Sequence, residues 1–463
     1  MSLADAVSAP TTRTEQGARP IVYLGWGLGS FTTSVLVNSI GLLHMRFMTD
    51  SLGIAAAVAG TLVGISKIYD AVTDPIMGAI SDRTTSRWGR RRPYLLWGSV
   101  ACAVAMILLF NVPTFESQTM LVVYMGAMLI VYAAAYSTFR MPYLALPPEI
   151  TSDFQDRSRL MTFSVYGSSV GSLFATTLAP IMLAWWGSTR EGHGMVAVLL
   201  AGLILAGGLA CFAATGSLTG TRAPPPQAVG DWRTRWRALI DNRPFVVLIV
   251  FKVVMFTALA IHSVAIPYFS RHVIKASDAW LGSLFFARTL TMIVSQPLWM
   301  ALARRYGRRN TLVLAGVTEV ACMISWVFIT PENATAMIVP VGFLQGLSSG
   351  GIFFGLYTTL PDTMEYDRRR SGLQREGVFA GIFVMVEKFT AAIAASVFGI
   401  MIGMMGYVES TNAGAVAQPE SAIRGIYIAL AIVPTALAVL ACLSLRFYTL
   451  TEADLGRKSE TSP

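Results

Sequence analysis

Residues 67–83 read Lys67-Ile68-Tyr69-Asp70-Ala71-Val72-Thr73-Asp74-Pro75-Ile76-Met77-Gly78-Ala79-Ile80-Ser81-Asp82-Arg83. Lys67, Asp70 and Asp74 stand three and four residues apart, so on a helix they share one face. They lie in a segment, 56–80, that is otherwise largely apolar. Charge inside a bilayer is costly and is kept where it faces an internal cavity, marking ion or substrate pathways. Two carboxylates one turn apart repel each other unless a cation or a proton sits between them. The stretch predicts a membrane helix whose polar face looks inward and takes up a positive ion. Its competing reading is an internal ion pair, Lys67 with Asp70, that holds helices together.

Composition supports the membrane setting. The 463 residues are 54% hydrophobic and 13% charged, with a mean hydropathy of +0.58, against about 25% charged in an ordinary soluble domain. Too little charge remains to coat a polar surface, so most of the exterior must meet lipid. The net charge of +9 sits in short basic clusters between apolar runs. That is the topology pattern of membrane proteins and not a groove for nucleic acid. Cys102, Cys211, Cys322 and Cys442 each fall inside an apolar segment without paired spacing, as small buried hydrophobes do. There is no His/Cys metal set, nucleophile elbow or phosphate loop, so neither an enzyme nor a bound cofactor is expected.

A spanning helix needs roughly 20 apolar residues. On that criterion segments fall near 22–48, 56–80, 94–112, 119–146, 160–185 and 194–215, then near 244–270, 280–302, 311–329, 335–360, 377–405 and 423–446. The expected organisation is a polar tail (1–20), a six-helix half (21–215), a linker (216–243) with Pro224-Pro225-Pro226 and Arg233, Arg235 and Arg237, a second six-helix half (244–446) and a polar tail (447–463). The first tail lacks signal-peptide features, so the first segment is expected to act as its own insertion signal. Arginines crowd the loops after segments 2, 8 and 10, which places both termini in the cytoplasm by the positive-inside rule. Arg87-Trp88-Gly89-Arg90-Arg91 before segment 3 is echoed by Arg305-Tyr306-Gly307-Arg308-Arg309 before segment 9. Such parallel halves are a transporter architecture with a midplane site between them. Gly60/Gly64 and Gly167/Gly171 have the spacing that lets helices approach closely.

With Trp88-Gly89-Arg90-Arg91-Arg92-Pro93, the opening stretch resembles the glycoside–pentoside–hexuronide:cation symporters, a melibiose-carrier-like branch of the major facilitator superfamily. Two further signatures agree: Pro142-Tyr143, Ala145-Leu146, Glu149, Asp153 and Arg157; then Asp362, Glu365-Tyr366, Gly372, Arg375-Glu376-Gly377 and Lys388. The resemblance covers segments 2 to 11. It implies an all-α major facilitator fold of twelve transmembrane helices in two halves, an integral multi-pass protein of the cytoplasmic (inner) membrane. It further implies Na+ or H+ coupled symport of a glycoside or related solute by alternating access, with small-molecule and lipid partners only and a monomeric chain. In the family the residues matching Asp70 and Asp74 bind the coupling cation, assisted at positions that match Thr73 and Ser137. Lys388 matches a lysine that neutralises the empty site, and Lys67 adds to the charge balance. Asp82, Arg83, Arg90, Arg91 and Arg92 would form a cytoplasmic gate with Glu149, Asp153, Arg157, Glu365 and Arg375.

The chain also departs from the pattern. Thr73 stands where well-known members have Asn, leaving sodium and proton both open. Ser34 and Arg140 stand where melibiose-type carriers have sugar-binding acids, and Val165 near a helix-5 arginine of theirs. The galactoside-binding set is therefore not carried over. Arg140 suggests an anionic solute, a carboxylate or sulfonate bound bidentately; its competing and favoured reading pairs it, near the cytoplasmic end of its helix, with gate carboxylates such as Glu149. Asn38, His262 and Tyr357 are further cavity candidates beside Ser34 and Arg140. Arg288 and Glu319 fall inside apolar segments with no role assigned. Rival readings are an exporter of a non-sugar, anionic or amphiphilic compound, and a transport-fold sensor.

Overall fold

In hydrocarbon a backbone amide has no water to bond, so a spanning chain must close its hydrogen bonds within helices. A computed structural model describes residues 20–150, 154–218, 240–371, 376–411 and 416–450, and among them the chain runs helix after helix. The first half holds α1 (Pro20–Ser39, prolonged by π turns at Ile40–His44 and Phe47–Ser51), α2 (Ala56–Arg83), α3 (Arg92–Phe110) and α4 (Gln118–Leu144). It ends with α5 (Phe154–Leu173, continued through Phe174–Leu178 to Ala179–Trp186) and α6 (Arg190–Ala214). The second half holds α7 (Arg243–Tyr268, continued to Val273), α8 (Asp278–Val294 and Gln296–Tyr306), α9 (Arg308–Ser325), α10 (Ala334–Ser371), α11 (Glu376–Met404) and α12 (Glu420–Tyr427, continued to Ser444).

Ten of these helices are long and apolar enough to cross a membrane. The other two miss for visible reasons. The polar residues of α2 include Lys67, Asp70, Asp74, Asp82 and Arg83. α8 is broken at Ser295, where Pro297 opens its second piece and cannot donate to the preceding turn. Large side chains such as Val72, Trp97, Val123 and Trp185 are exposed, as a lipid-facing surface requires.

Glycine sets the closest approaches. A Cβ on Gly60 would meet the Ala395 carbonyl oxygen at 2.3 Å, and one on Gly64 the Ser396 hydroxyl at 2.3 Å, so α2 of one half lies backbone to backbone on α11 of the other. Gly167 and Gly171 do the same for α5 against Gly27 and Phe31 of α1. The apolar core divides unequally. One cluster joins the first half to second-half residues such as Tyr268, Phe269, Phe398 and Trp326, whereas Phe245, Phe251, Leu312 and Phe379 form a separate cluster within the second half. The halves are thus welded at the end remote from the arginine-rich loops and separate toward those loops.

Gly60→Leu should destabilise the protein by about 1–3 kcal/mol through overpacking, read as a lower melting temperature. Gly78→Ala, with nothing within 4 Å of its added Cβ, should change it little.

Candidate functional site

The polar face of α2 meets α4 and α11 midway along the bundle. Ser137 Oγ lies 2.9 Å from Asp70 Oδ1 and 2.7 Å from Asp74 Oδ1, and Thr73 Oγ1 is 3.2 Å from Ser137 Oγ. Lys388 reaches across from the other half, its ammonium 2.9 Å from Asp70 Oδ2 and in contact with Asp74 Oδ2. Asp70, Ser137 and Lys388 are buried. A serine hydroxyl carries one proton, so it can donate to only one of the two carboxylates at a time. The second contact, oxygen to oxygen with no proton between, is of the kind that a shared proton or a hard cation relieves, and four oxygens converge there.

Lys67, expected to share this charge balance, makes no hydrogen bond or ion pair among the described residues; the place of an ion pair to Asp70 is taken by Lys388. The residue beside it, Glu387, is bound elsewhere. Glu387 Oε1 accepts from Lys252 Nζ at 2.8 Å and from the Tyr357 hydroxyl at 3.1 Å. Lys252 is fully buried and rests 3.3 Å from the Phe383 ring centroid. Arg140, one turn beyond Ser137, lies over the Tyr136 ring at 5.3 Å.

Further from the arginine-rich end, directly beyond Lys67, the halves enclose a cavity of about 350 Å³, within the range of small-molecule sites. α1, α2, α5, α7, α8, α10 and α11 all line it, with Asn38, Lys67, Ser172, Thr176, Ser263, Arg288 and Thr289 as its polar groups. Lys67 and Arg288 are its charged residues, and both are cationic. Of the five sequence candidates for such a cavity, Asn38 lines it. Ser34 instead donates to the Ser168 carbonyl at 2.7 Å and ties α1 to α5. His262 points away, its Nδ1 on the Leu430 carbonyl at 2.6 Å and its ring against Trp326. Arg140 and Tyr357 belong to the charged layer on the arginine-rich side.

The ends differ in the same sense as the core. At the arginine-rich end these partners among the described residues lie within one half. Asp82 pairs with Arg91 at 2.6 Å, Arg90 approaches the Asp82 carbonyl, Arg92 donates to the Phe212 carbonyl, and Arg83 is exposed. Glu365 binds Arg368 and Arg369 of its own helix. Asp153 and Arg375 lie outside the described residues, as do the side chains of Glu149 and Arg157. At the opposite end buried partners cross between halves. Arg46 pairs with Asp278 at 2.6 Å, Asp50 with His272 at 3.0 Å, and Tyr407 donates to Asp50. Thr49 meets the Tyr268 hydroxyl at 3.0 Å, and its carbonyl accepts from the Ser410 amide. Sequence reasoning passed over this network, because single charges near the ends of apolar runs look like interfacial anchors.

With this geometry in hand, similarity to known proteins is informative. A family described as MFS/sugar transport protein matches residues 25–452. The chain belongs to that family. It is 29% identical over 448 residues to an isoprimeverose transporter of Lactiplantibacillus pentosus, covering 94% of this chain and 90% of that one. It is 28% identical over 438 residues to YnaJ of Bacillus subtilis (strain 168), named as a symporter, covering 93% and 91%. The fold matches a bacterial homologue of the human lysosomal transporter Spinster, in an inward-facing and unoccupied conformation, with a TM-score of 0.68 at 13% identity over 93% of this chain and 97% of that one. The protein is therefore an integral multi-pass transporter of the major facilitator fold and not an enzyme, from a family of symporters.

Lys388→Ala should destabilise by roughly 3–5 kcal/mol, because it strips a buried acidic pair of its partner. Raising sodium, or acidifying if the ion is a proton, should restore part of the lost melting temperature. An unchanged melting temperature would count against the charge cluster.

Proposed function

We propose that the protein is a cation-coupled symporter of the cytoplasmic membrane that imports a glycoside or related organic solute. The observation that carries this is the cluster of Asp70, Asp74 and Ser137 from one half with Lys388 from the other. In the empty transporter Lys388 occupies the place of the coupling ion, Na+ or H+. When that ion enters, the carboxylates no longer need the lysine. The pair that bridges the halves loosens, and the state of the ion site is transmitted to the interface.

The solute would sit in the cavity lined by Asn38, Lys67 and Arg288, next to the ion site. Proximity gives each ligand an interest in the other's occupancy without a long relay. The positive-inside rule assigns the arginine-rich end to the cytoplasm. The state described here is then inward-facing, with Arg46–Asp278 and Asp50–His272–Tyr407 as the external closure. Asp82, Arg83, Arg90, Arg91, Arg92 and Glu365 would exchange their partners within each half for partners across the gate when the cytoplasmic side closes.

Two outcomes test this reading. Proteoliposomes supplied with a panel of neutral and acidic glycosides should accumulate at least one of them under a sodium or a proton gradient, and one gradient should suffice. Asp74→Asn should abolish accumulation while leaving slower downhill equilibration. No accumulation of any solute under either gradient would sink the symport reading. Arg46→Gln, which breaks a buried interhalf pair, should expose the far face of the cavity. Faster thiol labelling from outside at a cysteine replacing Asn38 would report it, and unchanged labelling would remove the network from the closure.

A further inference from the structure

Behind the cavity, inside the second half, lies a polar nest that the symport reading leaves unused. Glu319 on α9 is fully buried and neither carboxylate oxygen has a hydrogen-bond partner. On the facing helix α10, Gln345 Oε1 and Ser349 Oγ are also buried and unpartnered. The cation that faces Glu319 is Arg288 of α8. α10 packs closely against the Arg288 backbone through Gly342 and Gly346, and the Arg288 side chain lines the cavity. The remaining groups around the carboxylate are the Ser348 and Ser349 hydroxyls of α10, Cys322 on its own helix and Cys442 of α12. The Arg288 charge also acts on His262 of α7, whose ring is turned to the Leu430 carbonyl and Trp326. No second carboxylate and no second arginine or lysine is among them.

A buried carboxylate whose oxygens close no hydrogen bond among the described residues is relieved most simply by a proton, which lets one oxygen donate to Ser349 Oγ or Gln345 Oε1. Whether it needs one depends on Arg288. That guanidinium makes no hydrogen bond or ion pair among the described residues and stands between two places for an anion, Glu319 behind it and the cavity in front, where Lys67 is the second cation. We propose that Glu319 is a second protonation site of the transporter, governed by Arg288. With the cavity empty or holding a neutral solute, Arg288 offsets the Glu319 charge. When a carboxylate or sulfonate group of a solute engages Arg288 and Lys67, Glu319 takes a proton from water. The balance is one proton bound for one negative charge admitted, so an acidic solute enters with one more proton than a neutral one. The inference rests on the cavity being the solute site.

Infrared difference spectra of the purified full-length protein test it. Between acidic and alkaline buffer the wild type should show the carbonyl band of a buried carboxylic acid. Glu319→Gln should remove one component of that band, Glu319→Asp should shift that component, and Arg288→Gln should keep it into more alkaline buffer. At fixed pH, methyl β-glucuronide should increase the band and methyl β-glucoside should not. Arg288→Gln should weaken glucuronide binding by roughly 10–100-fold, the loss of one charge-assisted pair. A band left unchanged in every component by Glu319→Gln overturns the proposal. So does a band abolished by sodium at constant pH, which would make the nest a metal-ion site. Glucuronide bound with no change in the band overturns the link to the cavity. The titration without solute needs no transport, so its result is separate from that of the Asp74→Asn accumulation test.

Discussion

A charge held away from water must find an opposite charge or a full set of hydrogen bonds, and the rest of this molecule is arranged around that requirement. Asp70 and Asp74 cannot both be ionised one turn apart on α2 without a positive partner. Lys388 supplies it from the other half of the protein. The most costly pair in the first half is therefore satisfied only by contact with the second. Stability and the relative position of the halves become one variable, and a small cation can act on both.

The same constraint orders the layers along the axis. On the arginine-rich side of the cluster, Lys252, Glu387 and Tyr357 close their own circuit within the second half, leaving Lys388 to face outward. On the other side, Lys67 and Arg288 stand in the cavity wall with no hydrogen bond or ion pair among the described residues, so its lining is cationic. Beyond the cavity, Arg46, Asp50, His272, Asp278 and Tyr407 are paired across the halves. Satisfied charge thus marks where the halves are joined, and unsatisfied charge marks where a ligand is awaited.

Much of the fold was legible in the sequence because its signals are local. Apolar run length marked twelve segments, ten of which are helices long and apolar enough to cross a membrane, and the repeated arginine cluster related the two halves. The α2 motif could be read because three- and four-residue spacing fixes a shared face whatever surrounds it. Ser137 and Lys388 were reached only through resemblance, since nothing local ties positions 67 and 318 residues away from Asp70 to it. The closure network stayed invisible for the same reason: Arg46 and Asp278 lie 232 residues apart. Lys67 and Lys388 show the limit most plainly. Spacing favours the lysine three residues from Asp70, whereas packing across the interface delivers the distant one. The side-chain direction of His262 was also beyond periodicity, because its neighbours Ala260, Ser263 and Val264 face the cavity while its ring does not.

The glycine contact between α2 and α11 has a mechanical consequence. At Gly60 and Gly399, where a Cβ on either would lie 3.1 Å from the Cα of the other, no side chains interlock, so the contact can serve as a pivot between the two helices. Asp70 lies ten residues along α2, roughly 15 Å at 1.5 Å per residue. A tilt of about 10° about that bearing carries the carboxylate sideways by between roughly 2 and 3 Å over that arm, comparable to the length of its bond to Lys388. The bearing sits near the fixed end and the ionic catch partway along the arm, so a modest rotation is enough to unlatch the halves.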